Sequence, residues 1–158
     1  MHGSSAVQLC AGAYGEAMSD EALRKLLEIP GKRGVLSTIK RDGRPQMSVV
    51  IHHFDPATST LSISVTDDRA KTRNLRRDPR ASYLVTGRTP WDYVVAEGTA
   101  EFGPVATEPD DSGADELVDL YRTLAGEHDD WDDYRAAMVR EKRLVLRIHV
   151  ERVYGIAQ

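Results

Sequence analysis

From Gly34 onward the chain keeps a two-residue rhythm that only turn signals interrupt. Gly34–Lys40 (GVLSTIK) alternates, Asp42-Gly43 is a strong hairpin turn, and Pro45–Phe54 continues as a second strand. Asp55-Pro56 turns the chain again before Thr60–Thr66 (TLSISVT). That segment sets Leu61, Ile63 and Val65 against Ser62, Ser64 and Thr66. A period of two puts successive side chains on opposite faces of an extended chain, so this stretch reads as a meander with one apolar face.

The rhythm returns three times. Ala81–Thr86 is a fourth strand, and Tyr93–Phe102 (YVVAEGTAEF) a fifth, whose Gly98 marks a bulge or barrel corner. Arg143–Tyr154 is the sixth, with Leu144, Leu146, Ile148 and Val150 pointing one way. Helical patterns sit between them. Ser19 caps a helix to about Ile29, ended by Pro30-Gly31, and residues 69–78 form a short basic helix stopped by Pro79. An acidic loop leads to two more helices, about Ala114–Ala125 and Trp131–Glu141. The sum is an α+β chain, a six-stranded antiparallel barrel with flanking helices. A βαβ nucleotide fold is excluded, since strands and long helices do not alternate and G-x-G-x-x-G is absent.

At 158 residues there is room for one domain, assigned to 19–158, and residues 1–18 read as a disordered leader or cloning remnant. A single cysteine, Cys10, permits no intramolecular disulfide and suits a reducing cytoplasm. No apolar run is long enough to span a membrane. The net charge of −4 argues against nucleic acid as a partner. Charge is nevertheless uneven: residues 69–80 hold six cations against one Asp.

That stretch, Ser64–Arg80 (SVTDDRAKTRNLRRDPR), carries the most chemistry. A phosphate needs several donors converging from one side, with free amides at a helix start. Ser64 and Thr66 share a strand face that runs into Arg69 and Lys71, and Asn74 lies one helical turn beyond Lys71. Taken alone, a cation run also describes a solvated surface helix. It lacks the aromatic residues on which single-strand binders stack bases.

The order S-x-x-x-x-R-A-K-x-x-N-L-x-x-D-P-R-A resembles the pyridoxamine 5′-phosphate oxidase-like split-barrel family, and most nearly its actinobacterial branch that binds the deazaflavin coenzyme F420. GVLSTIKRDGRPQMS, WDYVVAEGTAEF, LYRTLAGEHDDWDDYRAAMV and RLVLRIHVERVYGI extend the resemblance over about residues 19–157. It implies a split barrel and a homodimer with the cofactor in a groove between subunits. Ser64, Arg69, Ala70, Lys71 and Asn74 then meet the cofactor phosphate. The ring system lies against Pro45, Gln46, Met47 and Ser48, and the backbone amides near Gln46–Ser48 stabilise charge on the reduced ring. Trp91 walls the pocket, and Tyr93 can reach it. Lys40, Arg41 and Arg44 are candidates for the acidic tail of F420. The family's vitamin oxidases end in an arginine-bearing segment, whereas this chain ends RVYGIAQ, which speaks against vitamin oxidation.

The implied activity is F420-dependent reduction of a small conjugated substrate by hydride transfer. The alternatives are an FMN-dependent oxidase or flavin reductase, and a cofactor-binding protein without turnover. No nucleophile motif appears, and none is needed where the cofactor carries the redox chemistry. No metal is expected. His52 and His53 are adjacent on a strand and face opposite ways, His149 reads as structural or surface, and the Asp129–Asp133 acids answer a helix N-terminus.

Overall fold

The structure, a computed structural model, describes residues 19–157; the expected leader at residues 1–18 lies outside the described residues. Its elements run α1 (Asp20–Leu27), β1 (Arg33–Ile39), β2 (Pro45–Ile51), β3 (His53–Asp55), β4 (Thr60–Thr66), α2 (Ala70–Arg77), β5 (Arg80–Thr86), β6 (Tyr93–Phe102), α3 (Ser112–Ala125), α4 (Trp131–Arg140) and β7 (Arg143–Ile156). The strands form one antiparallel sheet in the order β2-β1-β5-β6-β7-β4-β3.

The α+β antiparallel architecture matches the sequence reading, with seven strands in place of six. The difference is one residue. Expected as continuous, Pro45–Phe54 breaks at His52 into β2, which pairs with β1, and β3, which pairs with β4. These strands occupy opposite edges of the sheet although a single residue joins them. The sheet must therefore curl until its two edges come together, which produces a half-closed barrel with a seam. His52 anchors the break by turning inward: its ring is 3% exposed, with Nδ1 2.8 Å from the Tyr83 hydroxyl and Nε2 2.7 Å from the Leu27 carbonyl. Nε2–H donates to Leu27, which leaves Nδ1 to accept from Tyr83.

The first hairpin forms as Asp42-Gly43 demands. Gly43 adopts φ 83°, and the Lys40 amide closes the turn onto the Arg44 carbonyl at 2.9 Å. The expected irregularity in the fifth strand is a bulge at Glu97/Gly98. A Cβ on Gly98 would stand 2.1 Å from the His149 carbonyl oxygen, so two backbones touch there and only glycine fits.

Alternation along β1, β4, β5 and β7 fills the barrel with Leu36, Leu61, Ile63, Val65, Tyr83, Leu144, Leu146 and Ile148. Helix α1 closes one side with Leu23, Leu26 and Leu27, and Ser19 caps it as expected by accepting the Ala22 amide. A second, smaller core joins α3 and α4 to the outside of β7 through Leu117, Leu120, Met138 and Val145. Asp111 caps α3 by accepting amides from Ala114, Thr107 and Glu108, which holds its carboxyl far below the usual carboxylate range. Asp130 caps α4 through the Asp133 amide.

Candidate functional site

At its C-terminal end β4 is polar on the face turned away from the barrel core, with Ser64 and Thr66 half-buried there. A short turn leads into α2, fastened to the strand by the Thr72 hydroxyl, which donates to the Thr66 carbonyl at 2.8 Å. Arg69 holds the N-cap position with extended backbone and makes no side-chain cap bond. The first-turn amides of α2, those of Ala70 and Lys71 included, lack partners within the helix.

A groove of about 900 Å³ opens at this junction. Val49–Ile51 of β2 form one side. Ser64, Thr66, Arg69 and Lys71 line the floor and far side, and Tyr121 and Tyr134 reach in from α3 and α4. Arg143, the first residue of β7, completes it. Arg143 pairs with Thr66 in the β4–β7 ladder and donates from Nη1 to the Ser64 hydroxyl at 3.2 Å, while its Nε donates to Glu141 at 2.6 Å. Lys71 is partly buried beside it. Desolvation, followed by repulsion from Arg69 and Arg143, lowers the Lys71 ammonium below its ordinary pKa. Arg69 and Lys71 form no salt bridge among the described residues. The groove thus gathers four cations, Arg33, Arg69, Lys71 and Arg143, with no carboxylate in its lining among the described residues, and Glu141 reaches Arg143 from beside it.

The other residues singled out from sequence lie elsewhere. Asn74 is buried and turns away from the groove, donating from Nδ2 to the Thr38 hydroxyl at 3.1 Å. Thr38 donates in turn to Gln46 Oε1 at 3.2 Å. This chain of bonds ties α2 to β1 and β2. Gln46, Ser48 and Val50 alternate with Met47, Val49 and Ile51, which face outward. Met47 is 64% exposed on that outer face, and Pro45 is exposed at the hairpin end. The Ser48 hydroxyl is buried with no partner among the described residues. Lys40 pairs loosely with Asp42 at 3.6 Å, and Arg41 and Arg44 are exposed on the same hairpin, outside the groove lining. Trp91 is 73% exposed in the loop before β6, where Tyr93 is half-buried. Lys32 stitches that loop to the chain entering β1 by donating to the Thr86 and Gly87 carbonyls at 2.7 and 2.6 Å.

Arg143, Tyr121 and Tyr134 were not singled out from sequence as site residues. Arg143 reaches Ser64 through a pairing between strands 79 residues apart, which no local pattern reports. His52 and His53 do face different ways, and among the described residues no three His, Cys, Asp or Glu side chains gather to hold a metal ion. No helix among them is long and apolar enough to cross a membrane.

An antiparallel sheet curled to a seam, with flanking helices and a cationic groove beside that seam, defines a split-barrel protein. The chain belongs to the pyridoxamine 5′-phosphate oxidase family, whose profile matches residues 19–157. Among solved structures it is similar to an F420 reductase (23% identity, TM-score 0.64), covering 86% of this chain and 98% of that one. It also resembles a conserved hypothetical protein from Mycobacterium tuberculosis (25% identity, TM-score 0.64, 89% and 85% coverage). A third is a FAD-binding protein from Mesorhizobium loti (20% identity, TM-score 0.58, 87% and 94% coverage).

Proposed function

We propose that this protein is an F420-dependent reductase, holding the cofactor phosphate at the β4–α2 junction and delivering hydride to a small conjugated substrate. The observation that carries the reading is the partly dehydrated Lys71 ammonium, pressed by Arg69 and Arg143 with no carboxylate of its own. Like charges crowded into a half-buried site are costly until an anion joins them. The donor set suits a tetrahedral phosphate: two guanidinium groups, an ammonium, first-turn helix amides and the Ser64 hydroxyl, which accepts from Arg143 and keeps its own proton to donate. When bound, the deazaflavin supplies the hydride, and the protein supplies position and electrostatics.

The chain's own residues then have distinct tasks. Ser64, Arg69, Lys71 and Arg143 bind; Asn74, Thr38 and Gln46 hold α2 against β1 and β2. Val49 and Ile51, with Tyr121 and Tyr134, shape apolar walls that limit water around a conjugated ring.

A homodimer completes the reading. On the outer face of the sheet the register aligns Val49, Val35, Leu84, Val95 and Tyr154 in one row across five strands. Met47, Val49 and Ile51 are 64%, 66% and 46% exposed at its edge, beside the groove. Such a row covered by a second copy would place the partner against the cofactor cleft.

Purified protein titrated with F420 and with FMN tests the assignment, followed by turnover with reduced F420 and an activated alkene or quinone. Binding of F420 with hydride transfer is expected. FMN binding with oxidase activity and no use of F420 would replace this reading with the flavin one.

A further inference from the structure

The groove continues beyond Arg143. A second hollow of about 470 Å³ shares Thr66, Arg69 and Arg143 with the first and is completed by Asp68 and by Arg140, Glu141 and Lys142 at the α4–β7 turn. The turn is held by its backbone. Lys142 adopts φ 52°, its amide donates to the Val139 carbonyl at 3.0 Å, and its carbonyl accepts the Asp67 amide at 2.9 Å from the β4–α2 connection. The backbone of the turn is therefore held against the same junction that carries Arg69.

Four cations face this hollow against two carboxylates. Glu141 is committed to Arg143 at 2.6 Å. Arg69, Arg140 and Lys142 form no side-chain hydrogen bond or salt bridge among the described residues, whereas Arg76, Arg80, Arg122, Arg135 and Arg147 are each paired with a carboxylate. One phosphate beside Ser64 and Lys71 answers the first groove and leaves Arg140 and Lys142 facing the single carboxylate of Asp68, with which neither forms a salt bridge among the described residues.

We infer that the hollow is a second anion subsite, which takes the next charged group along a cofactor whose first phosphate lies at Ser64. This rests on the cofactor reading above and narrows it to cofactors that carry negative charge beyond that phosphate. Two sources have this chemistry: the second phosphate of a flavin dinucleotide and the carboxylate tail of a deazaflavin. FMN has neither. The β1–β2 hairpin, with Lys40, Arg41 and Arg44, was the expected place for an acidic tail; the α4–β7 turn is contiguous with the phosphate groove and the hairpin residues do not line it.

The test is calorimetric titration at low salt with FMN, FAD, tailed F420, and F420 stripped of its glutamates but keeping its phosphate. Wild type is compared with Arg140→Gln/Lys142→Asn and with Lys71→Ala. Asn is chosen at Lys142 because it tolerates the left-handed backbone. The double variant should lose about tenfold in affinity for FAD or for tailed F420, the size of a charge-assisted contact, and less than twofold for FMN and stripped F420. The ligand that loses affinity identifies the source, and Arg140→Lys with Lys142 intact should keep the preference. Lys71→Ala should weaken all ligands that bind. Equal losses for FMN and the longer cofactors in the double variant, or no loss at all, would overturn the subsite while leaving the cofactor reading standing. Failure of wild type to bind any of the four would overturn both.

Discussion

Arg143 reaches across the β4–β7 ladder to donate to the Ser64 hydroxyl at 3.2 Å, and its charge is one of the two that depress the Lys71 ammonium. One side chain therefore both orients the serine and sharpens the demand for an anion. Arg143→Gln should weaken a phosphate-bearing cofactor by about 1.5–3 kcal/mol, the range for hydrogen bonds to charged groups. Ser64→Ala should cost about 1 kcal/mol. Titration of the two variants beside wild type checks the order; a larger loss at Ser64 than at Arg143 would contradict it.

Asn74 holds α2 against β1 from outside the groove. Its amide is buried against Thr38, so Asn74→Ala leaves a buried hydroxyl without its donor and should destabilise the fold by about 1–3 kcal/mol. Urea unfolding measures that loss. Cofactor affinity should fall by less than it does for Lys71→Ala; the reverse order would put Asn74 in direct contact with the ligand.

His52 makes stability depend on pH. Burial lowers its pKa below the ordinary 6.5 and so favours the neutral ring, which donates to Leu27 and accepts from Tyr83. As the pH falls, the unfolded chain takes up its proton before the native one does. Stability should therefore be flat above about pH 6.5 and fall below it, by at most about 1.4 kcal/mol per pH unit from this group. Urea unfolding from pH 7.5 to 5 measures the slope, and His52→Gln should remove this part of it.

The outer sheet row gives the third kind of test. Val49 is 66% exposed, and across the ladder it meets Val35, with Leu84, Val95 and Tyr154 beyond. If a second copy covers this row, Val49→Asp buries an unpaired charge in the interface. Light scattering should report a dimer for wild type and a monomer for the variant. A wild-type monomer would remove the partner from the site.

The sequence made the strands legible because each hairpin declares itself locally. Asp42-Gly43 shows its turn, Thr60–Thr66 its two faces, and Gly98 its bulge. The break at His52 was not legible, because β2 and β3 separate to reach opposite sheet edges, and edge placement depends on strand order. For the same reason Ser64 and Lys71 stood out while Arg143 did not: the first two lie within one segment, and the third arrives by pairing. Asn74 shows the limit of spacing arguments. One helical turn from Lys71 suggested a shared face, yet the buried Thr38 hydroxyl takes the Asn74 side chain to β1.

The central claim is that a cofactor phosphate is captured where β4 gives way to α2, and Lys71 is its most direct witness. Calorimetric titration of F420 and FMN into wild type and Lys71→Ala, with folding checked by circular dichroism, measures it. A folded variant whose affinity for the bound cofactor drops by about 1.5–3 kcal/mol is the expected result. A folded variant with wild-type affinity would place the phosphate elsewhere and contradict the claim.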